Sequence, residues 1–146
     1  MHIGEPGLPS RHRVDASGLL ALPGFVDTHV HLMEPASAER EDWAHGTRAA
    51  AASGVTTVIE HTHAQPVRTE ADLRAKREYL RSRSLVDFAL AAHAWPTEVG
   101  GLGDLWNAGV AFFKRIHLRM PLERGAYFMA QFARPFAVDN AHKRHP

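Results

Sequence analysis

The chain has 146 residues, of which 45% are hydrophobic and 23% charged, a composition typical of one globular domain with its own core. Its formal net charge of +1 provides no electrostatic basis for binding nucleic acid or an anionic membrane, and the lack of cysteine excludes disulfides and thiolate metal sites. The first residues do not resemble a secretory signal and no apolar run is long enough to span a membrane, so we expect a cytoplasmic protein.

From Pro23 onward the sequence alternates between short apolar segments rich in β-branched residues and longer segments of helix-forming residues. The apolar segments have the length and composition of buried strands, and Thr69 with Asp72 three residues later is typical of a helix capping box. We therefore predict four strands and three helices, with strands at residues 24–31, 54–60, 86–93 and 109–114, and helices at residues 39–53, 69–84 and 97–107.

This alternation predicts an α/β fold in which a parallel sheet is covered by helices. A doubly wound open sheet and part of an eight-stranded (β/α) barrel both satisfy the pattern. No Gly-rich phosphate loop follows a predicted strand, which disfavours a nucleotide-binding open sheet. Polar residues gather instead after the strands, at the end where barrels carry their chemistry, so we favour a partial TIM barrel.

Two histidines close the first predicted strand. Residues two apart on a strand project to the same face, so His29 and His31 can direct both imidazoles at one divalent ion such as zinc. Asp27, two residues earlier, is a candidate acceptor that would orient one imidazole without touching the metal. The alternative is that both rings bond only to backbone groups at the strand end.

Lys114 ends the fourth predicted strand, after an apolar run. A buried lysine amine is neutral more readily than an exposed one, and a neutral amine can take up carbon dioxide to become a carbamate metal ligand. The common alternative is a side chain that extends to solvent.

Other polar residues near the strand ends are candidates for the same pocket. His61, His63 and His93 follow the second and third strands, where loop or helix-entry roles are the favoured alternative. Glu34 and Glu60 are also candidates, although we expect solvated positions for both. The charged residues between positions 70 and 83 are predicted to form the solvated face of a helix.

Three segments, in the same order and spacing, resemble the amidohydrolase superfamily, and in particular its cyclic amidase branch of dihydroorotases, allantoinases and hydantoinases. Residues 15–35, which include Gly-Phe-Val-Asp-Thr-His-Val-His at 24–31, resemble the entry into that family's barrel. Residues 46–57 resemble the helix and second strand that follow. Residues 108–114, Ala-Gly-Val-Ala-Phe-Phe-Lys, are similar to the segment that delivers a carbamylated lysine.

The resemblance implies an enzyme that hydrolyses carbon–nitrogen bonds in small cyclic amides or ureides. It implies two divalent metal ions, usually zinc, held by His29, His31 and carbamylated Lys114, with a metal-activated hydroxide opening the ring. Met33 stands where dihydroorotases usually carry an arginine for the substrate carboxylate, which favours an allantoin- or hydantoin-type ring.

The resemblance also implies an incomplete barrel, with about four of its eight βα units. Family members bring two more histidine ligands and a proton-shuttling aspartate from later strands. Nothing after Lys114 resembles these residues, so we expect the chain alone to be inactive. A non-enzymatic half-barrel that self-associates or binds a partner is the alternative function. A third option is a metal-binding protein that uses His29 and His31 with His61 and His63.

The chain is predicted to have three parts. Residues 1–22 would be a remnant of the family's N-terminal β-sandwich, and residues 23–115 the first half of the barrel. Residues 116–146 form an atypical basic tail: from position 115 onward there are six Lys or Arg and two acidic residues, against eleven and fourteen before it. We expect this tail to be a separate structural element or the product of a changed reading frame.

Overall fold

The computed structural model describes residues 9, 11–61, 64–94 and 100–115, so the predicted basic tail and His63 lie outside the described residues. Five short strands and three helices alternate along this part of the chain, in the order β1 (Phe25–Val30), α1 (Trp43–Ala52), β2 (Val55–Glu60), α2 (Glu70–Arg81), β3 (Asp87–Leu90), β4 (Ala92–Ala94), α3 (Leu102–Asn107) and β5 (Phe113–Arg115).

All the strand pairs are parallel, as the alternation with helices predicts. Strands β1, β2 and β3 form one sheet in chain order, and β4 pairs with β5. Backbone hydrogen bonds from Ala91 N to Glu60 O and from Ala111 N to Leu90 O, both 2.9 Å, join the two sheets into one continuous surface. The third predicted strand is therefore broken at Ala91 into β3 and β4, and the mixed α/β architecture is confirmed.

Helices α1 and α2 each follow a residue whose side chain satisfies an otherwise free backbone amide. The Asp42 side chain accepts a hydrogen bond from His45 N at 2.8 Å, so α1 begins at Trp43 rather than at residue 39. Thr69 and Asp72 form the predicted capping box at the start of α2. Helix α1 ends before Gly54, whose φ of 85° turns the chain into β2 and favours glycine.

The core lies between the helices and one face of the sheet. Trp43 of α1 is 0% exposed, and its ring meets that of Phe88 in an edge-to-face contact with centroids 5.2 Å apart. Gly46, one turn further along α1, allows the helix to lie against the segment after β1, because a Cβ there would come within 2.5 Å of Leu32 Cδ2. Other buried members of this core are Leu73, Leu80, Leu90, Leu105 and Val110.

The prediction that the first strand is buried is wrong. Phe25 and Val26 are 58% and 56% exposed, because β1 pairs with β2 on one side and with no other strand among the described residues. Residues 11–22, before β1, are exposed and form no strand, so the β-sandwich remnant remains a prediction. Among the described residues no helix has the length and apolarity needed to cross a membrane.

Candidate metal centre

Three histidines converge at the C-terminal ends of β1 and β2. The ring centroids of His29 and His31 lie 5.2 Å apart, and the His61 centroid lies 4.0 Å from the first and 4.9 Å from the second. One ring nitrogen from each residue can be chosen so that all three atoms lie within 4.8 Å of one another. Such a group of nitrogen donors could hold a divalent metal ion.

The parallel register of the two strands places these side chains together. Val30, between the two β1 histidines, pairs with Glu60 at the end of β2. His61 follows directly, and its backbone amide donates to Val30 O at 3.2 Å. His29 and His31 share a face because residues two apart on a strand point the same way. The pairing of β1 with β2 then brings the third imidazole to that face.

His61 is buried, with 3% of its surface exposed, and neither ring nitrogen has a hydrogen-bond partner among the described residues. Burial, together with the nearby charges of Lys114, His29, His31 and His93, lowers the pKa of His61 to about 3. The imidazole is therefore neutral at physiological pH, and neutral imidazole is the form that binds metals. His61 directly follows β2, where the sequence favoured a loop or helix-entry role, and its ring lies beside those of His29 and His31.

Lys114 and His93 approach the cluster from β5 and β4, where they are paired in register. Lys114 is half-buried, and its Nζ lies 3.3 Å from His31 Nε2. His93 is buried, and its Nε2 donates to the backbone oxygen of His61 at 3.1 Å. The ring of Phe112 stands edge-on to His61 with centroids 5.6 Å apart, so it forms an apolar wall beside the imidazoles.

Asp27 and Met33 affect the backbone conformation of β1 and of the segment that follows it. Asp27 Oδ1 accepts a hydrogen bond from the backbone amide of His29 at 3.0 Å, so the carboxylate braces the strand rather than a ring. Met33 is half-buried and adopts a φ of 55°, at the point where the chain leaves the strand. Both lie close in sequence to the histidines.

The expectation of solvated positions for Glu34 and Glu60 is wrong, since both are buried. The Glu34 carboxylate accepts from Tyr79 Oη at 2.8 Å and from Trp43 N, so it joins α2 to the start of α1. Its hydrogen bond raises the pKa of Tyr79 above its ordinary value.

Glu60 forms an ion pair with Lys76 of α2, with Oε2 and Nζ 2.6 Å apart and the two side chains 1% and 3% exposed. The Lys76 amine also donates to Gln65 O at 3.0 Å. Lys76 therefore departs from the solvated face predicted for its helix. The pair fixes the residue immediately before His61.

Comparison with known proteins decides the family. The model of the amidohydrolase family matches residues 20–94, which is just over half of the sequence. This chain belongs to the amidohydrolase family. The predicted superfamily membership is thereby confirmed.

This amidohydrolase chain is similar to proteins of the cyclic amidase branch. It is 41% identical over 107 residues to an allantoinase of Rubrobacter xylanophilus, covering 72% of this chain and 24% of the relative. It is 37% identical over 106 residues to a dihydroorotase of Methanosarcina mazei, covering 72% of this chain and 23% of the relative. The chain thus spans about a quarter of the length of these curated relatives.

A solved structure shows the same fold. The L-hydantoinase (dihydropyrimidinase) from Arthrobacter aurescens superposes with a TM-score of 0.69 at 29% identity, over 73% of this amidohydrolase chain and 24% of the hydantoinase. The described strands and helices therefore form part of a (β/α)8-type barrel, with the histidine cluster at the C-terminal ends of its strands.

Proposed function

We propose that this chain is part of a metal-dependent hydrolase that opens cyclic amides or ureides, with His29, His31 and Lys114 holding its divalent cations. The observation that carries the proposal is the convergence of two imidazoles from β1 with one amine from β5. Support also comes from the matched relatives, whose names are allantoinase, dihydroorotase and L-hydantoinase.

The residues present fit a zinc site. The donors are imidazole nitrogens, which suit zinc, and the chain contains no thiolate that would favour a softer ion. A bound divalent cation would lower the pKa of a water molecule and polarise the substrate carbonyl. Asp27 holds the backbone of His29 in place, and Phe112 shields the cluster on one side.

The position of Lys114 supports the proposal that it bridges two cations. Its amine lies beside His31 Nε2 on a half-buried strand. The ammonium first loses one proton; the neutral amine nitrogen can then bond to the carbon of carbon dioxide and release a second proton to solvent, which leaves a negatively charged, carboxylate-like carbamate. A carbamylated Lys114 would then supply oxygen ligands for two cations, where the ammonium would repel them.

We expect purified chain to bind zinc through its β1 histidines and to open no ring by itself, because it spans only a quarter of its relatives. Replacing His29 and His31 together by Ala should lower the zinc affinity by more than about 100-fold. Mutation of a residue that only orients a metal ligand already lowers metal affinity by about 10–100-fold, and here two ligands are lost. Isothermal titration with zinc would measure this change. Parallel assays would use allantoin, dihydroorotate and hydantoin.

Zinc binding that is equally tight in the double variant would contradict the proposed metal site. Measurable ring opening by the unmodified chain would instead contradict the expected inactivity. A relative carrying the full barrel provides the positive control for each assay.

The second candidate, a non-enzymatic half-barrel that self-associates, is favoured by the exposed apolar edge at Phe25 and Val26 of β1. Sedimentation velocity distinguishes the two functions. A discrete dimer that forms equally well with and without zinc would favour self-association, whereas a zinc-binding monomer would favour the hydrolase fragment.

A further inference from the structure

We infer that His61 is a third ligand of the cation held by His29 and His31, so that the ends of β1 and β2 form a three-imidazole site. This inference rests on the proposed metal site and adds to it a ligand from β2. All three proposed nitrogen ligands then lie within the described part of the chain.

The distances require only small side-chain movements. In a tetrahedral zinc site with bonds of about 2.0–2.1 Å to nitrogen, two ligand atoms lie about 3.3 Å apart. The three candidate nitrogens already lie within 4.8 Å of one another. Rotation of the imidazoles about their side-chain bonds can close the remaining gap of about 1.5 Å, and the backbone need not move.

The surroundings of His61 lack the partners that a purely structural histidine normally has. A buried polar group without a hydrogen bond costs about 1–3 kcal/mol, and here both ring nitrogens have no partner among the described residues. His93, by contrast, donates to the His61 backbone oxygen. A cation bound to one nitrogen of His61 would offset the cost of burying that atom.

The backbone of His61 is held from both sides, so the ligand would be preorganised. Its amide donates to Val30 O at 3.2 Å, and its carbonyl accepts from His93 Nε2 at 3.1 Å. The preceding residue, Glu60, is fixed by its ion pair with Lys76. Rigid support of this kind favours binding because little conformational freedom is lost when the cation enters.

Three protein nitrogens leave the fourth position of a tetrahedral ion for an oxygen ligand, which would be water while Lys114 is an amine and a carbamate oxygen once Lys114 is carbamylated. Lys114 is near enough for this, because its amine lies 3.3 Å from His31 Nε2.

The test is a zinc titration in competition with a chromophoric chelator, using the full chain and two single variants. His61→Ala should bind zinc more than about 100-fold more weakly than the unmodified chain. Mutation of a residue that only orients a metal ligand already lowers metal affinity by about 10–100-fold, and loss of a ligand should lower it further. His12→Ala is the matched control, because His12 is an exposed histidine on the segment before β1. Its zinc affinity should be unchanged, and circular dichroism establishes that each variant is folded.

The absorption spectrum of the cobalt-substituted chain provides a second measurement that needs no variant. Four-coordinate cobalt(II) absorbs strongly in the visible range and six-coordinate cobalt(II) weakly, so the inference predicts the strong spectrum. A weak spectrum, or an His61→Ala affinity equal to that of His12→Ala, would overturn it. If His61→Ala binds normally while the His29 and His31 double variant does not, only the third ligand is refuted; if both bind normally, the proposed metal site fails as well.

Discussion

Replacing Lys76 by Met is expected to lower the free energy of unfolding by about 3–5 kcal/mol, the range measured when one partner of a buried ion pair is removed. The amine of Lys76 lies 2.6 Å from Glu60 Oε2, with both side chains almost wholly inaccessible to solvent. Methionine fills a similar volume but leaves the carboxylate buried without its counter-charge. Urea unfolding monitored by circular dichroism would measure the change.

Two further variants show whether the loss of stability comes from the broken ion pair or from any substitution in α2. Arg74→Met removes a cation of the same helix whose side chain is 75% exposed and pairs with Glu70, so it should cost less than about 1 kcal/mol. The double variant Glu60→Leu with Lys76→Met should recover most of the stability, because no buried charge remains. Equal costs for Lys76→Met and Arg74→Met would contradict a buried pair.

Replacing Trp43 by Ala is the second change with a large expected effect, and should also cost about 3–5 kcal/mol. The indole is the largest fully buried side chain, and it joins α1 to the sheet through its contact with Phe88. Alanine would leave a cavity in the centre of the core. Thermal unfolding followed by calorimetry would report the loss as a lower Tm.

Trp43→Phe is the matched control. Phenylalanine keeps much of the ring contact with Phe88 and removes the indole N–H, which has no hydrogen-bond partner among the described residues. We therefore expect it to cost much less than Trp43→Ala. Similar costs for the two variants would show that the aromatic contact contributes little to the core.

Local sequence pattern predicts the order and type of the elements well. β-Branched residues in Val55–Glu60 and the capping box at Thr69 are signals within a few residues, and both elements form where they are expected. The resemblance identifies His29, His31 and Lys114 as candidate ligands, and the structure places these three side chains together.

Errors arise where contacts between distant parts of the chain decide the outcome. Glu34, Glu60 and Lys76 are charged residues that composition assigns to solvent, yet each is buried beside a partner from another element. The exposure of Phe25 follows from the absence of a second neighbour for β1 among the described strands, which no local pattern reveals.

His61 shows most clearly what the sequence leaves open. A histidine after a strand is consistent with a loop, a pocket or a ligand, and only the register of β1 against β2 decides among them. That register places His61 beside Val30, between the two histidines of the first strand. The sequence predicts the parallel sheet, but it does not give the residue-by-residue register that aligns His61 with the histidines of β1.

X-ray absorption spectroscopy of the zinc-loaded chain tests the metal centre most directly, because it counts the ligands around the ion. We predict three imidazole nitrogens from His29, His31 and His61 at about 2.0–2.1 Å, with one oxygen ligand beside them. A shell made of oxygen atoms, with no imidazole scattering, would contradict a histidine site at the ends of β1 and β2.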